Sequence, residues 1–249
     1  MSSKNRVYPL KIGLKMVIVG HRGACGHAPE NTLKSFAKAI ELGCLRVELD
    51  IHLSKDGVPV VIHDPTVDRT TNGKGPVKSF PLVELQKLDA GEGELIPTLA
   101  EVMDLCRGKA ELQIELKDPD SPCVVADLIE KKWDRKNVVA TSFDLSLLKE
   151  FATLMPDVPL GLLNKNPDLD MITVALENKH QWICPRFDVV TRGLVTKAHQ
   201  IGLLVYVYHV NDRRIASKLT SWSIDAIGTD FPDIASDLPC PKKKRWHQG

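Results

Sequence analysis

Four of the eight histidines, His21, His27, His52 and His63, crowd into the first quarter of the chain, denser than uniform scatter would place them. Imidazole has an unperturbed pKa of about 6.5 and so can give and take protons near neutrality. His52 shares a strand face with Asp50, and His27 sits in a glycine-bounded loop; both positions suit packing or surface roles. His21 and His63 are therefore the candidate acid and base, with neither role assignable from sequence. A second signal is carboxylic. Glu48 and Asp50 lie two apart in an otherwise apolar stretch, and Glu115 repeats the pattern in Leu112-Gln-Ile-Glu-Leu-Lys117, with Lys117 two residues on. Residues two apart on a strand share a face. Three acids so aimed repel one another unless a cation joins them. Their oxygens suit a hard divalent ion, Mg²⁺ or Ca²⁺, better than zinc, which prefers His and Cys. The competing reading is an ion-pair network of Arg46 and Lys117 with the same acids.

An acidic metal site beside Arg22, Lys117 and two histidines is equipped to bind and split a phosphate ester. Cations offset the charge that grows on phosphorus, one imidazole deprotonates the nucleophile and the other protonates the leaving alkoxide.

These residues need elements to position them. Short β-branched runs at 16–20, 45–52, 110–116, 137–141, 157–162, 181–184, 203–208 and 224–228 alternate with segments of helical period. The helical segments are 31–42, 98–107, 121–132, 144–154, 168–178, 191–201, 211–219 and 231–237, with Asn31, Ser121 and Asp144 as candidate N-caps. Eight strand–helix pairs in 249 residues average about 31 residues, the size of a βα unit, and predict an α/β fold of the (β/α)₈ TIM-barrel type. A doubly wound sheet is disfavoured, because Gly20-His21-Arg22-Gly23-Ala24-Cys25-Gly26 matches neither common phosphate loop. The second unit is too long, and its excess, 53–97, reads as a short insertion: a strand over 57–63, a turn at Asn72-Gly73 and a short helix from Pro81 to Leu88. Every candidate then falls at the C-terminal end of a strand, the rim where barrel active sites lie.

The chain reads as one catalytic domain over 1–241 followed by a basic tail, 242–249, with Lys242, Lys243, Lys244 and Arg245. Its composition, 43% apolar and 26% charged, excludes disordered and fibrous classes. A net charge of +1 excludes nucleic-acid binding driven by overall charge. The tail suits a solvated end better than a membrane or import signal. Cysteines at 25, 44, 106, 123, 184 and 240 lack zinc-site or redox spacing, which fits a reducing compartment. Lys4, Arg6, Lys11 and Lys15 break every apolar stretch of a signal peptide, and Ile201 to Tyr208, the longest nearly apolar run, is too short to span a bilayer. A cytoplasmic protein is expected.

The runs His21-Arg22-Gly23-Ala24, Ala28-Pro29-Glu30-Asn31-Thr32, Glu48-Leu49-Asp50 and His63-Asp64 leading into Asp68-Arg69-Thr70-Thr71-Asn72-Gly73 together resemble the glycerophosphodiester phosphodiesterase family. The resemblance continues through Ile96-Pro97-Thr98-Leu99-Ala100-Glu101, Glu115-Leu116-Lys117, Ser142-Phe143-Asp144 and Gly228-Thr229-Asp230-Phe231-Pro232-Asp233, covering roughly residues 17–237. It implies a (β/α)₈ barrel that hydrolyses small glycerophosphodiesters to glycerol 3-phosphate and an alcohol with Mg²⁺ or Ca²⁺. It further implies Glu48, Asp50 and Glu115 as metal ligands, His21 and His63 as acid and base, and Arg22 and Lys117 as phosphate contacts. Glu30 then has a ligand-orienting role. Where the family commonly carries a tryptophan at the end of the seventh barrel strand, facing the substrate, this chain has Val207-Tyr208-His209, so Tyr208 is the candidate to cover the glycerol or else a half-buried strand aromatic, and His209 adds an ionisable group near the same rim. The insertion carries Lys74, Lys78 and Lys87 but little apolar surface, which favours soluble headgroup diesters. The rival activities are a lysophospholipase D-like phosphodiesterase, which needs a groove for an acyl chain, a non-catalytic anion-binding barrel, and a divalent-metal lyase.

Overall fold

A computed structural model describes residues 16–237 of the chain. The basic tail, Cys240 and the early lysines and arginine lie outside the described residues.

The chain runs β1 (Val17–Gly20), α1 (Leu33–Glu41), β2 (Arg46–Leu53), β3 (Pro59–Val61), α2 (Leu82–Leu85), α3 (Leu99–Cys106), β4 (Glu111–Leu116), α4 (Ser121–Lys132) and β5 (Val138–Ser142). It continues α5 (Leu145–Leu154), β6 (Leu160–Asn164), α6 (Met171–Glu177), β7 (Trp182–Pro185), α7 (Arg192–Gln200), β8 (Leu204–Val207), α8 (Arg213–Ser221) and β9 (Ala226–Thr229). All strands but β3 pair in parallel with their neighbours, and β1 pairs with both β2 and β9, so the sheet closes into the expected (β/α)₈ barrel. β3 is antiparallel to β2.

Alternation along the strands sorts the side chains. Val47, Leu49 and Ile51 of β2 point outward into one core with Phe36, Leu99, Val102 and Met103 from the helices. Full burial of such a side chain is worth about 1.5–3 kcal/mol. The intervening Arg46, Glu48, Asp50 and His52 point into the barrel, and all are buried. The barrel floor is closed by Val19, Trp182, Cys184, Tyr206 and Ala226. A side chain on Gly228 would collide with the Tyr206 hydroxyl, so the floor requires glycine there.

The insertion between β2 and α3 has a small core of its own, including Val60, Ile62, Val67, Val77, Leu85 and Ile96. Its strand and helix are shorter than expected, Pro59–Val61 and Leu82–Leu85. Four local expectations need correction. The fifth barrel strand starts later than 157, at Leu160, because Val158 N–H bonds back to Met155 O in the turn that leaves α5. The closing segment is a 3₁₀ turn, Pro232–Asp237. Asn31 does not cap α1: Thr32 Oγ1 accepts from Ser35 N, and Asn31 is diverted to the site. Likewise Ser121 is the first helical residue of α4, its hydroxyl turned to Asp118 O, while Asp144 caps α5 as expected. Among the described residues, no helix is long and apolar enough to cross a membrane.

Candidate active site

The C-terminal ends of the strands surround a cavity of about 120 Å³ whose walls include His21, Arg22, Glu48, His63, Glu115 and Tyr208. The barrel thus gathers six of the eight residues singled out from sequence into one wall. The other two, Asp50 and Lys117, lie directly behind it. Lys117 Nζ donates to Glu115 Oε1 at 2.6 Å and stands 3.3 Å from Asp50 Oδ1. The cavity also meets Gln113, Thr141, Phe143 and His209.

Glu48, Asp50 and Glu115 each bring a carboxylate oxygen within 4.8 Å of the others, and all three are buried. The register explains this: Asp50 of β2 is directly opposite Glu115 of β4. Burial, then Asp50 and Glu115, pushes the Glu48 carboxyl well up. Burial, then Asp50, raises Glu115. Asp50 moves the other way: burial opposes its ionisation, but Lys117 and Arg22 overcome this and hold it below the usual carboxylate range. Among the described residues, buried Asp50 Oδ1 accepts no hydrogen bond and has the Lys117 ammonium 3.3 Å away. Converging, mutually repelling oxygens, of which Lys117 neutralises only part, fit a small hard cation. Arg46 plays no part in this cluster: it bonds Glu111 at 2.7 Å and lies over the Trp182 ring, so the cations that pair with the acids are Lys117 and, in place of Arg46, Arg22.

Arg22 follows β1 with a φ of 49°, a left-handed conformation that non-glycine residues seldom adopt. Three bonds hold it there. Its N–H donates to Glu48 Oε2 at 2.9 Å, and its carbonyl accepts from Asn31 N and Ser35 Oγ. The guanidinium lies between Glu30, 2.8 Å from Nη1, and Asp50, 3.3 Å from Nε. Asn31 Nδ2 donates to Asp50 Oδ2 at 2.8 Å, which fixes that carboxylate from the other side.

The two candidate histidines share one arrangement. His21 Nδ1–H donates to Asp230 Oδ1 at 2.6 Å, and His63 Nδ1–H donates to Asp64 Oδ1 at 2.6 Å. Each aspartate thereby selects the tautomer whose Nε2 carries a lone pair. Asp230 is fixed in turn by Asn211 Nδ2 at 2.5 Å and by the Cys25 thiol at 3.1 Å. Burial pushes that thiol well up, so it stays a protonated donor. Burial lowers the His63 pKa against the pull of Asp50 and Asp64. The His209 ring lies 3.5 Å from that of His21, centre to centre. Burial, and then the neighbouring His21, pulls its pKa down to about 3, so His209 is neutral.

His52 bonds the carbonyl of His63 and His27 bonds Asp233, so neither enters the cavity wall. Sequence reading missed Asp230 as a site neighbour, marked His209 only as an ionisable group near the rim, and placed Asn31 in a helix cap. Asp230 lay in a segment already flagged by resemblance, but nothing local marks it as the partner of His21.

A closed (β/α)₈ barrel with a polar rim, paired His–Asp couples, two cations and converging carboxylates has the makings of a phosphoester-cleaving enzyme. The glycerophosphoryl diester phosphodiesterase family matches residues 21–234, and the chain belongs to it, and so to the phosphoric diester hydrolases. It is 35% identical to the glycerophosphodiester phosphodiesterase of Caldanaerobacter subterraneus subsp. tengcongensis, over 90% of this chain and 98% of that protein. It is 31% identical to the Bacillus subtilis glycerophosphodiester phosphodiesterase, over 88% and 85% respectively. Among solved structures, an Oleispira antarctica phosphodiesterase in complex with the product sn-glycerol-3-phosphate superposes with a TM-score of 0.84 at 29% identity, covering 88% of this chain and 95% of that one. The Agrobacterium tumefaciens glycerophosphodiester phosphodiesterase superposes with a TM-score of 0.81 at 31% identity, over 90% and 100%.

Proposed function

We propose that the protein hydrolyses small glycerophosphodiesters, deacylated phospholipid headgroups, to sn-glycerol 3-phosphate and an alcohol, with a divalent cation and with His21 and His63 as the acid–base pair. The observation that carries this reading is that both histidines reach one cavity with Nδ1 tied to an aspartate, and that Glu48 and Glu115 line the same cavity. Glu48, Asp50 and Glu115 would hold Mg²⁺ or Ca²⁺, which when bound supplies charge neutralisation at a phosphoryl oxygen. Arg22 in that wall and Lys117 behind it add positive charge that orients the phosphate. One imidazole Nε2 takes the proton of the nucleophile, either water or the neighbouring glycerol hydroxyl, and the other, protonated, delivers a proton to the leaving alkoxide; on the second route a water then opens the cyclic phosphate to glycerol 3-phosphate. Asp230 and Asp64 stabilise whichever imidazolium forms. Tyr208, whose buried hydroxyl has no hydrogen-bond partner among the described residues, would meet a hydroxyl of the glycerol. The small-molecule substrate is also supported by the product bound to the Oleispira relative.

Incubating glycerophosphocholine with the protein and Mg²⁺ or Ca²⁺ should release glycerol 3-phosphate, stop with EDTA and resume on adding metal. Turnover that EDTA leaves untouched would remove the metal from the proposal.

One observation favours a second substrate. Phe143, Leu169 and Phe187, from the loops after β5, β6 and β7, are 47%, 36% and 41% exposed, and Phe143 also borders the cavity. An acyl chain of a lysophospholipid could lie along such a wall. Comparing kcat/KM for lysophosphatidylcholine and glycerophosphocholine decides between the two.

A further inference from the structure

We propose that Arg69, carried by the insertion, is a positioning residue that fastens Arg22 and His63 to one another through Glu30 and Asp64; it rests on the phosphodiesterase reading only for what those two residues do. The Arg69 guanidinium holds a carboxylate on each side. Toward Glu30, Nη1 donates to Oε2 and Nη2 to Oε1, both at 2.7 Å. Toward Asp64, Nε donates to Oδ2 at 2.7 Å and Nη2 to Oδ1 at 3.1 Å. Each carboxylate then passes the constraint on. Glu30 Oε1 accepts from Arg22 Nη1 at 2.8 Å, and Asp64 Oδ1 accepts from His63 Nδ1 at 2.6 Å. An unbroken run of hydrogen bonds therefore joins the cation after β1 to the imidazole after β3.

Only a planar fork can do this. Arginine meets two carboxylates edge-on with fixed geometry, whereas the lysine ammonium is a point charge on a flexible stem. Arg69 is 47% exposed, where one isolated ion pair contributes little to stability. Its effect is geometric. Without it, Glu30 and Asp64 lose the cation they share, and Asp64 is left to hold His63 with no donor on its far side. Among the described residues the His63 ring has no other hydrogen-bond partner, so its direction depends on Asp64.

The loop that carries Arg69 is fixed without it. Val67 is buried in the insertion core, Thr71 Oγ1 donates to Val67 O, and Gly75 N donates to Asp68 Oδ2. The insertion thus acts on the chemistry of the barrel rim through one side chain. Lys74, 80% exposed on the same insertion and 3.9 Å from Asp68, has no such connection and serves as control.

The test compares wild type with Arg69→Ala, Arg69→Lys and Lys74→Ala in steady-state hydrolysis of glycerophosphocholine at saturating Mg²⁺, with thermal melts and imidazole ¹⁵N NMR. Positioning groups typically change activity by about 10–100-fold. Arg69→Ala should lose that much in kcat, melt close to wild type and recover part of the loss in millimolar guanidinium. Arg69→Lys should fall between, and Lys74→Ala should match wild type. The His63 ring should be in the Nδ1–H tautomer in wild type and a mixture in Arg69→Ala. Unchanged kcat in a folded Arg69→Ala protein overturns the proposal, as does a loss that guanidinium and lysine both fail to lessen. If wild type itself turns over no diester, the functional reading fails separately, and the His63 tautomer alone decides: the same tautomer in both proteins overturns the positioning role.

Discussion

His21 Nδ1 donates to Asp230 Oδ1 at 2.6 Å, although 209 positions separate the two residues. The pairing exists because β1 and β9 are neighbours in the closed barrel, with Gly20 opposite Thr229. Burial works against the Asp230 charge, but bonds from His21, Cys25 and Asn211 hold its carboxyl far below the usual range. Asp230 is thus ionised wherever the enzyme works. Asp230→Asn keeps the shape and removes the charge that stabilises the imidazolium of His21. We expect kcat to drop at least about 10²-fold while metal affinity changes little. Steady-state kinetics with a Mg²⁺ titration measures both, and an unchanged kcat would separate Asp230 from catalysis.

Metal should act on stability as well as turnover. Three buried carboxylates that repel one another are a liability in the metal-free protein, and burial already raises the Glu48 pKa. A cation present at about 100 times its Kd should add about 2.7 kcal/mol, a rise of several degrees in Tm for a chain of this size. Glu48→Gln should abolish that rise and leave the metal-free Tm equal to or above wild type. Scanning fluorimetry with and without Mg²⁺ reads both, and a Gln variant that still gains several degrees would discard Glu48 as a ligand.

The site was legible from sequence where chemistry and period coincided. Glu48, Asp50, Glu115 and Lys117 could be aligned because alternation puts them on one strand face, and the barrel carries each strand end to a common rim. His21 and His63 were legible as clustered titratable groups next to strand ends. What sequence could not supply was contact between distant segments: Asp230 with His21, Arg69 with Glu30 and Asp64, and the stacking of His209. Asn31 shows the same limit locally. Its type and place suit a helix cap, but Thr32 beside it serves equally well, and only the fold brings Asp50 within reach of the Asn31 amide.

Tyr208 gives a prediction in which stability and binding move apart. Among the described residues its buried hydroxyl has no hydrogen-bond partner, a penalty of about 1–3 kcal/mol in general. Tyr208→Phe should leave the free protein at least as stable. If the hydroxyl meets the glycerol, KM for glycerophosphocholine should rise about 3–10-fold, the equivalent of one net hydrogen bond. A lower Tm with unchanged KM would make Tyr208 a packing residue only.

Away from the site, His180 should shape the acid limb of stability. It is buried among Leu162, Met171, Ala175 and Trp182, and its Nδ1 has no partner. Burial, aided by Lys149, lowers its pKa from 6.5 to about 4. Between those values the unfolded chain binds a proton that the folded one refuses, so stability is intact above pH 6.5 and is lost as pH falls toward 4. The loss should reach roughly 3 kcal/mol. Urea melts of wild type and His180→Leu between these pH values should diverge in slope, and parallel curves would refute the assignment.

The β1–β9 seam also bears on when the enzyme becomes competent during synthesis. His21 leaves the ribosome early, whereas Asp230 and its anchor Asn211 emerge only after all the intervening strands. A nascent chain can therefore assemble the carboxylates of β2 and β4 long before its first histidine is oriented. On the proposed mechanism, a chain that stops short of β9 is expected to be inactive, because His21 then has no Asp230 to orient it.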